Sequence, residues 1–149
     1  MYKFLIFIHV FAAIAMLGPT YLLPALSKMR GDPPSVTVLR IEYLIEKYVT
    51  GFVVVALVTG IGLISTSPVV KDNFGEARWL HIAITLFLVY AGLGTGFAAP
   101  RMRKAVKAAQ AGNGAEVKRL LDPLDKVVGP VLGLLFAAIL YLMLIKPDF

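Results

Sequence analysis

The two histidines of this chain occupy equivalent places in two apolar segments. His9 lies in FLIFIHVFAAIAM, residues 4–16, and His81 lies in RWLHIAITLFLVY, residues 78–90. Haem iron takes one axial ligand on each face, and neutral imidazole is its standard protein ligand. Two imidazoles on different helices, at a similar depth in a helix bundle, could therefore hold one haem between them.

The composition places these segments in a membrane. The chain has 149 residues, 58% of them hydrophobic, and a mean hydropathy of +0.80, which is far too apolar for a soluble domain. Cysteine is absent, which excludes disulfides and thiolate metal sites. A helical span needs about 20 mostly apolar residues. Four segments meet this requirement: residues 2–26, 48–67, 79–100 and 127–145.

These four segments predict the fold class. Backbone groups in lipid must form hydrogen bonds within the protein, so the spans are expected to be helices. The sequence therefore predicts an all-α bundle of four transmembrane helices in a single domain, residues 1–149. The connection over residues 101–126 is predicted to form two amphipathic helical pieces that break at Gly112-Asn113-Gly114.

The distribution of basic residues predicts the orientation. The first and third connections carry eleven basic residues: Lys28, Arg30, Arg40, Lys47, Arg101, Arg103, Lys104, Lys107, Lys118, Arg119 and Lys126. The termini and the second connection carry four: Lys3, Lys71, Arg78 and Lys146. By the positive-inside rule, both termini lie on the outer side of the membrane. In such a protein these charges suit lipid headgroups rather than nucleic acid.

This orientation places both histidines in the outer half of the membrane. His9 follows Lys3 by six residues, about 9 Å along a helix, and His81 follows Arg78 by three, about 4.5 Å. The propionates of a haem would face the outer surface, where Arg78 and Lys71 could pair with them. The spacing thus predicts haem b, with His9 and His81 as iron ligands and Arg78 in the cofactor site. Electron transfer with a quinone or a redox partner protein would follow.

An alternative interpretation gives the histidines no cofactor. A histidine near the interface costs little, so His9 could bond a hydroxyl such as Ser65 or Thr66, and His81 could lie beside Trp79 in the aromatic belt. The protein would then be a membrane scaffold, a subunit or a small-molecule binder. The sequence leaves open whether the protein is an enzyme and whether it forms a homo-oligomer.

The acidic residues near the basic connections are not interpreted as catalytic. Glu42 and Glu46 share a helix face and could form a proton or cation entry point, but the neighbouring Lys47 favours an interfacial turn. Asp122 and Asp125 precede span four and fit capping and compensation of the helix dipole. Spans one, three and four have no charged residue at mid-depth, which argues against ion-coupled transport.

The segments FLIFIHVFAAIAMLG and RWLHIAITLFLVYAGLG also carry a resemblance. The chain resembles an uncharacterised family of small four-helix integral membrane proteins of bacteria, which implies a multi-pass protein of the bacterial cytoplasmic (inner) membrane. It is more distantly similar to the HemJ-type protoporphyrinogen oxidases and to the membrane part of the CopD-type copper-resistance proteins. HemJ-type enzymes bind haem b, so the resemblance implies a ligand role for His9.

The third span departs from the HemJ pattern at one position. That span typically reads Trp-x-His-x-Lys in HemJ-type enzymes, with the lysine important for activity. This chain reads Trp79-Leu80-His81-Ile82-Ala83, so an alanine stands where the lysine is expected. The resemblance therefore implies haem binding without implying oxidation of protoporphyrinogen.

Overall fold

The computed structural model describes residues 1–147 and confirms the all-α prediction. Within those residues there is no strand, and four helices are long and apolar enough to cross a membrane. The first two long helices are α1 (Tyr2–Lys28) and α2 (Val36–Thr66), followed by the single turn α3 (Val70–Asn73). The third long helix joins α4 (Arg78–Ala91), a first π segment (Gly92–Ala98) and α5 (Ala99–Gln110). The fourth joins α6 (Gly114–Pro123), a second π segment (Leu124–Val128) and α7 (Gly129–Ile145).

The sequence predicts a helical lead into the second span, and α2 confirms it by beginning well before the apolar stretch. Its first residue is Val36, whereas the predicted span begins at Tyr48. The side chain of Ser35 caps the helix by accepting a hydrogen bond from the Val38 N–H at 3.4 Å. The polar turns that carry Glu42 and Glu46 therefore belong to the same continuous helix as the apolar turns.

The predicted break in the third connection is confirmed. α5 ends at Gln110 and α6 begins at Gly114. Gly112 takes a φ of +73°, a left-handed conformation that favours glycine. The Asn113 side chain then caps α6 by accepting from the Glu116 N–H at 3.1 Å.

The bundle is built mainly from neighbouring pairs. α1 packs along α2, α4 packs along α7, and α5 packs on both α6 and α2. α1 also touches α7. α4 lies diagonally across the bundle from α1. Two apolar clusters fill the interior. The mid-bundle cluster includes Ala12, Met16, Val53, Ala56, Phe136 and Ile139. The cluster under the α5–α6 hairpin includes Leu39, Met102, Ala105, Val117 and Leu121.

The loop over residues 29–35 and the turn over residues 111–113 meet at one end of the bundle, which we call the basic end. Lys118 of α6 donates to Asp32 of the loop at 3.1 Å. The start of α1, the end of α7 and α3 belong to the opposite end, where the Lys146 ammonium lies 5.8 Å from the centre of the Trp79 ring. The positive-inside rule predicts that the basic end faces the cytoplasm.

Candidate functional site: a polar cavity inside the bundle

A cavity of about 160 Å³ lies between the long helices, toward the basic end, and we call it the inner cavity. All four long helices contribute to its lining. Most of the lining is apolar or small. The charged and hydroxyl side chains among its lining residues are Thr20, Ser27, Arg30, Glu42, Glu46, Thr50, Tyr90, Thr95 and Asp125.

Arg30 ties three parts of the chain together at the wall of this cavity. Its Nε and Nη2 atoms donate to the two carboxylate oxygens of Glu42 on α2, at 2.7 and 2.9 Å, and its Nη1 donates to Asp125 of the second π segment. Burial acts to lower the pKa of Arg30, but the hydrogen bonds to the two carboxylates outweigh it and raise the pKa above its usual value. All three nitrogens of the guanidinium are therefore engaged with carboxylates.

Glu46 lies one turn further along α2 and has no such partner. Its side chain lines the inner cavity, and the residue is 8% exposed. Within residues 1–147 no hydrogen bond or ion pair engages its carboxyl group. A Cβ atom on Gly94 of the first π segment would lie 3.8 Å from Glu46 Oε1. Acidic side chains inside a membrane bundle are costly and usually mark functional sites.

The hydroxyl groups of the cavity present acceptors to it. Thr20 donates to the Met16 carbonyl at 2.8 Å, so its oxygen accepts the hydrogen bond that joins it to Tyr90 at 3.1 Å. The Tyr90 oxygen thus donates its proton to Thr20 and keeps its lone pairs. Thr95 likewise donates to the Ala91 carbonyl, at 2.6 Å. The hydroxyl oxygens of Tyr90 and Thr95 therefore remain available to accept a hydrogen bond from a ligand.

Both π segments line the inner cavity. The first contributes Gly94, Thr95 and Ala98, and the second contributes Leu124, Asp125 and Val128. The second is crowded at its end, since a Cβ atom on Gly129 would lie 3.0 Å from the Leu124 carbonyl oxygen. Wide turns of this kind occur frequently at functional sites.

A second depression opens at the basic end, between the loop over residues 29–35 and α6. This basic-end cleft has a volume of about 450 Å³. It shares Ser27, Arg30 and Asp125 with the inner cavity. The ion pair between Arg30 and Asp125 therefore stands between the cleft and the cavity.

His9 is oriented by a hydroxyl of α2. Its Nδ1 atom lies 3.0 Å from Thr59 Oγ1, so Thr59, and neither Ser65 nor Thr66, is the partner. Thr59 donates its own proton to the Val55 carbonyl at 2.7 Å and must accept from the His9 Nδ1–H. His9 Nε2 consequently carries a lone pair, as a metal ligand requires.

His81 has a different environment. Its ring packs edge-on against Phe74, with 4.7 Å between the ring centroids. In the part of the chain described, no hydrogen bond or ring contact joins His81 to His9, and no group of three histidine or acidic residues could hold a metal ion. No ion pair engages Arg78 within the same residues. The structure thus orients His9 on Thr59 and His81 against Phe74, and the haem site formed by His9, His81 and Arg78 stays a prediction.

The interpretation as a solvated turn is wrong for Glu42 and Glu46, and the capping role is wrong for Asp125, which is exposed. Glu42 is completely buried, Glu46 is almost so, and Asp125 binds Arg30 instead of capping a helix. The four-residue spacing of the two glutamates was the available signal, because it places both on one face. Nothing in the sequence indicated Tyr90 or Thr20.

The fold and the inner cavity define an integral membrane protein whose four-helix bundle holds a largely apolar cavity with a few charged and hydroxyl groups. Residues 3–147 match a family described as predicted integral membrane protein (DUF2269), and the chain belongs to that family. Comparison with curated proteins and with solved structures found no match.

Proposed function

We propose that this protein binds a small solute in the inner cavity and exchanges it with the aqueous phase at the basic end. The observation that carries the proposal is Glu46, a buried carboxyl group that lines a cavity and has no protein partner among the described residues. No fully buried side-chain oxygen among the described residues lacks a partner, so the Glu46 oxygens face accessible space, where a ligand could bind them.

The size and lining of the cavity support the binding of a small molecule. An enclosed cavity of about 150 Å³ can hold a molecule of the size of benzene. Ligand sites are typically apolar with a few placed polar groups, and the inner cavity combines Val49, Val53 and Leu132 with Glu46 and Tyr90. The cavity therefore suits a ligand of about six to eight non-hydrogen atoms.

The basic-end cleft provides a route for the solute between the aqueous phase and the inner cavity. It reaches the inner cavity at the ion pair of Arg30 with Asp125. Arg30 belongs to the loop that α2 anchors through Glu42, whereas Asp125 belongs to the fourth long helix. Separation of this pair would open the cavity toward the basic end while leaving the Arg30–Glu42 pair in place.

Cysteine accessibility tests the proposal directly, because the chain has no native cysteine. Thr50→Cys places one thiol in the cavity lining, and a membrane-impermeant cationic methanethiosulfonate is applied to each side of sealed vesicles. Asn113→Cys, in the turn, identifies the side of the basic end. We expect Thr50→Cys to react from that side, and Asp125→Asn to raise its rate about tenfold.

Asp122→Asn is the matched control, since Asp122 also lines the cleft but pairs with Lys126. It should leave the labelling rate of Thr50→Cys unchanged. Labelling from the opposite side alone, or no labelling from either side in any variant, would overturn the proposal.

Haem binding is the second candidate, favoured by the orientation of His9. The Nδ1 atom of His9 is hydrogen-bonded to Thr59, which leaves the Nε2 lone pair free to bind a metal. This is the usual arrangement of a ligating histidine. The similarity to HemJ-type proteins adds support, and His81 would supply the second ligand. When bound, haem would provide one-electron chemistry with a quinone or a redox partner protein.

An absorption spectrum tests this second candidate. The purified protein, expressed with ample haem, is measured oxidised and after dithionite reduction. A Soret band that both His9→Ala and His81→Ala abolish would establish a bis-histidine haem. A colourless protein would make the Thr59 contact of His9 purely structural.

A further inference from the structure

We infer that the ligand of the inner cavity is a small organic monocation, an ammonium group on an apolar body, with Glu46 as its counter-charge. This inference rests on the solute-binding function proposed above and specifies its ligand. It is carried by the charges, the hydrogen-bonding groups and the apolar surfaces that line the cavity.

The charge of the lining excludes an anionic ligand. The lining residues include three carboxyl groups, on Glu42, Glu46 and Asp125, and one basic side chain, Arg30. Arg30 already donates to Glu42 and Asp125 and has no nitrogen free of a carboxylate partner. An anion would meet net negative charge, whereas a cation would meet the unpaired Glu46. A charge buried in a bundle is stable only when a counter-charge and hydrogen bonds accompany it.

The hydrogen-bonding groups point to the same class. The Tyr90 and Thr95 hydroxyls have already given their protons to protein oxygens, so each presents lone pairs. The Glu46 carboxylate also accepts. An ammonium group has three donors and no acceptor, which complements the acceptors of Glu46, Tyr90 and Thr95.

The remaining lining suits the apolar body of such a ligand. Val49, Val53 and Leu132 provide aliphatic surface for such a body. The volume of about 160 Å³ limits the ligand to about the size of a benzyl or butyl group. The tertiary or quaternary amines with several rings are too large for this volume.

The test compares three molecules of similar shape with different charge: benzylammonium, benzyl alcohol and benzoate. Their affinities for the full-length protein in detergent are measured by calorimetry. We expect benzylammonium to bind at least tenfold more tightly than benzyl alcohol, and benzoate not to bind. Glu46→Gln should lower the affinity for benzylammonium at least tenfold while leaving that for benzyl alcohol unchanged. Glu116→Gln, an acidic side chain on α6 outside the cavity lining, should change neither affinity.

The outcomes separate this inference from the proposed function. Equal binding of benzylammonium and benzyl alcohol, or benzylammonium binding that survives in Glu46→Gln, would overturn the cation inference and leave the solute site intact. The same holds if none of the three binds although Thr50→Cys reacts from the basic end. Failure of both binding and labelling would overturn the proposed function itself.

Discussion

Arg30 and Glu42 form a two-pronged ion pair inside the bundle, with nitrogen–oxygen distances of 2.7 and 2.9 Å. Glu42 is fully buried, and the Arg30 side chain is 10% exposed. Paired bonds of this kind fix orientation as well as distance, so the loop over residues 29–35 is held to α2 in one geometry. The same guanidinium reaches Asp125, and the loop thereby also holds the fourth long helix.

Removal of Arg30 is expected to be strongly destabilising. Arg30→Ala would leave Glu42 buried without its counter-charge, which typically costs about 3–5 kcal/mol. Lys118→Ala removes an exposed pair with Asp32 and should cost less than about 1 kcal/mol. Reversible unfolding in mixed micelles measures both changes, and similar losses in the two variants would contradict this prediction.

A methyl group at Gly129 is expected to disturb the second π segment. Its Cβ would lie 3.0 Å from the Leu124 carbonyl oxygen, a backbone atom that cannot move without distorting the segment. We expect Gly129→Ala to lower the free energy of unfolding by about 1–3 kcal/mol. Gly133→Ala is the control, since its Cβ would meet Tyr21 Cε1 at an ordinary 3.5 Å. Equal stability of the two variants would show that the segment tolerates the crowding.

A larger side chain at Gly94 is expected to fill the inner cavity. Gly94→Leu would extend beside Glu46, because a Cβ there lies 3.8 Å from the Glu46 Oε1 atom. The labelling of Thr50→Cys should slow about tenfold, and benzylammonium affinity should fall with it. Gly96→Leu lies in the same π segment, where a Cβ meets no atom within 4 Å, and should leave both unchanged. Comparable effects of the two substitutions would point to distortion of the helix rather than filling of the cavity.

Loss of the Tyr90 hydroxyl is expected to act on stability and on binding. Tyr90→Phe removes the hydrogen bond to Thr20, which should cost about 0.5–1.5 kcal/mol in unfolding. It also removes one acceptor from the cavity, so benzylammonium should bind several-fold more weakly while benzyl alcohol is less affected. Tyr141→Phe alters an exposed tyrosine of α7 and should change neither quantity. Unaltered benzylammonium affinity in Tyr90→Phe would remove the hydroxyl from the ligand site.

The fold was predictable from the sequence because membrane helices must be apolar over a fixed length. Hydropathy and the break at Gly112 located the four helices and the hairpin. Where the helices begin was less predictable. α2 starts twelve residues before its apolar stretch because Ser35 caps it and polar turns continue the same helix.

The site was much less predictable, since its residues meet only in the folded bundle. Arg30 and Asp125 are 95 positions apart, and Thr20 and Tyr90 are 70 apart. In the sequence, Glu46 is followed by the basic Lys47, which suggested that both side chains are solvated. On a helix, however, adjacent residues point to different faces. Lys47 is exposed, whereas Glu46 turns inward.

The third and fourth long helices have a mechanical consequence for the inner cavity. They contain 33 and 32 residues, or about 50 Å of helix, whereas the hydrocarbon core is about 30 Å thick. The α5–α6 hairpin therefore extends about 20 Å beyond the lipid, packed against the first turns of α2, with the two π segments at its base. If the hairpin tilted, the two π segments would act as its hinge, and Asp125 would move relative to Arg30. A force applied in the water, at the tip of the hairpin, would thus reach the entrance of a site buried in the membrane.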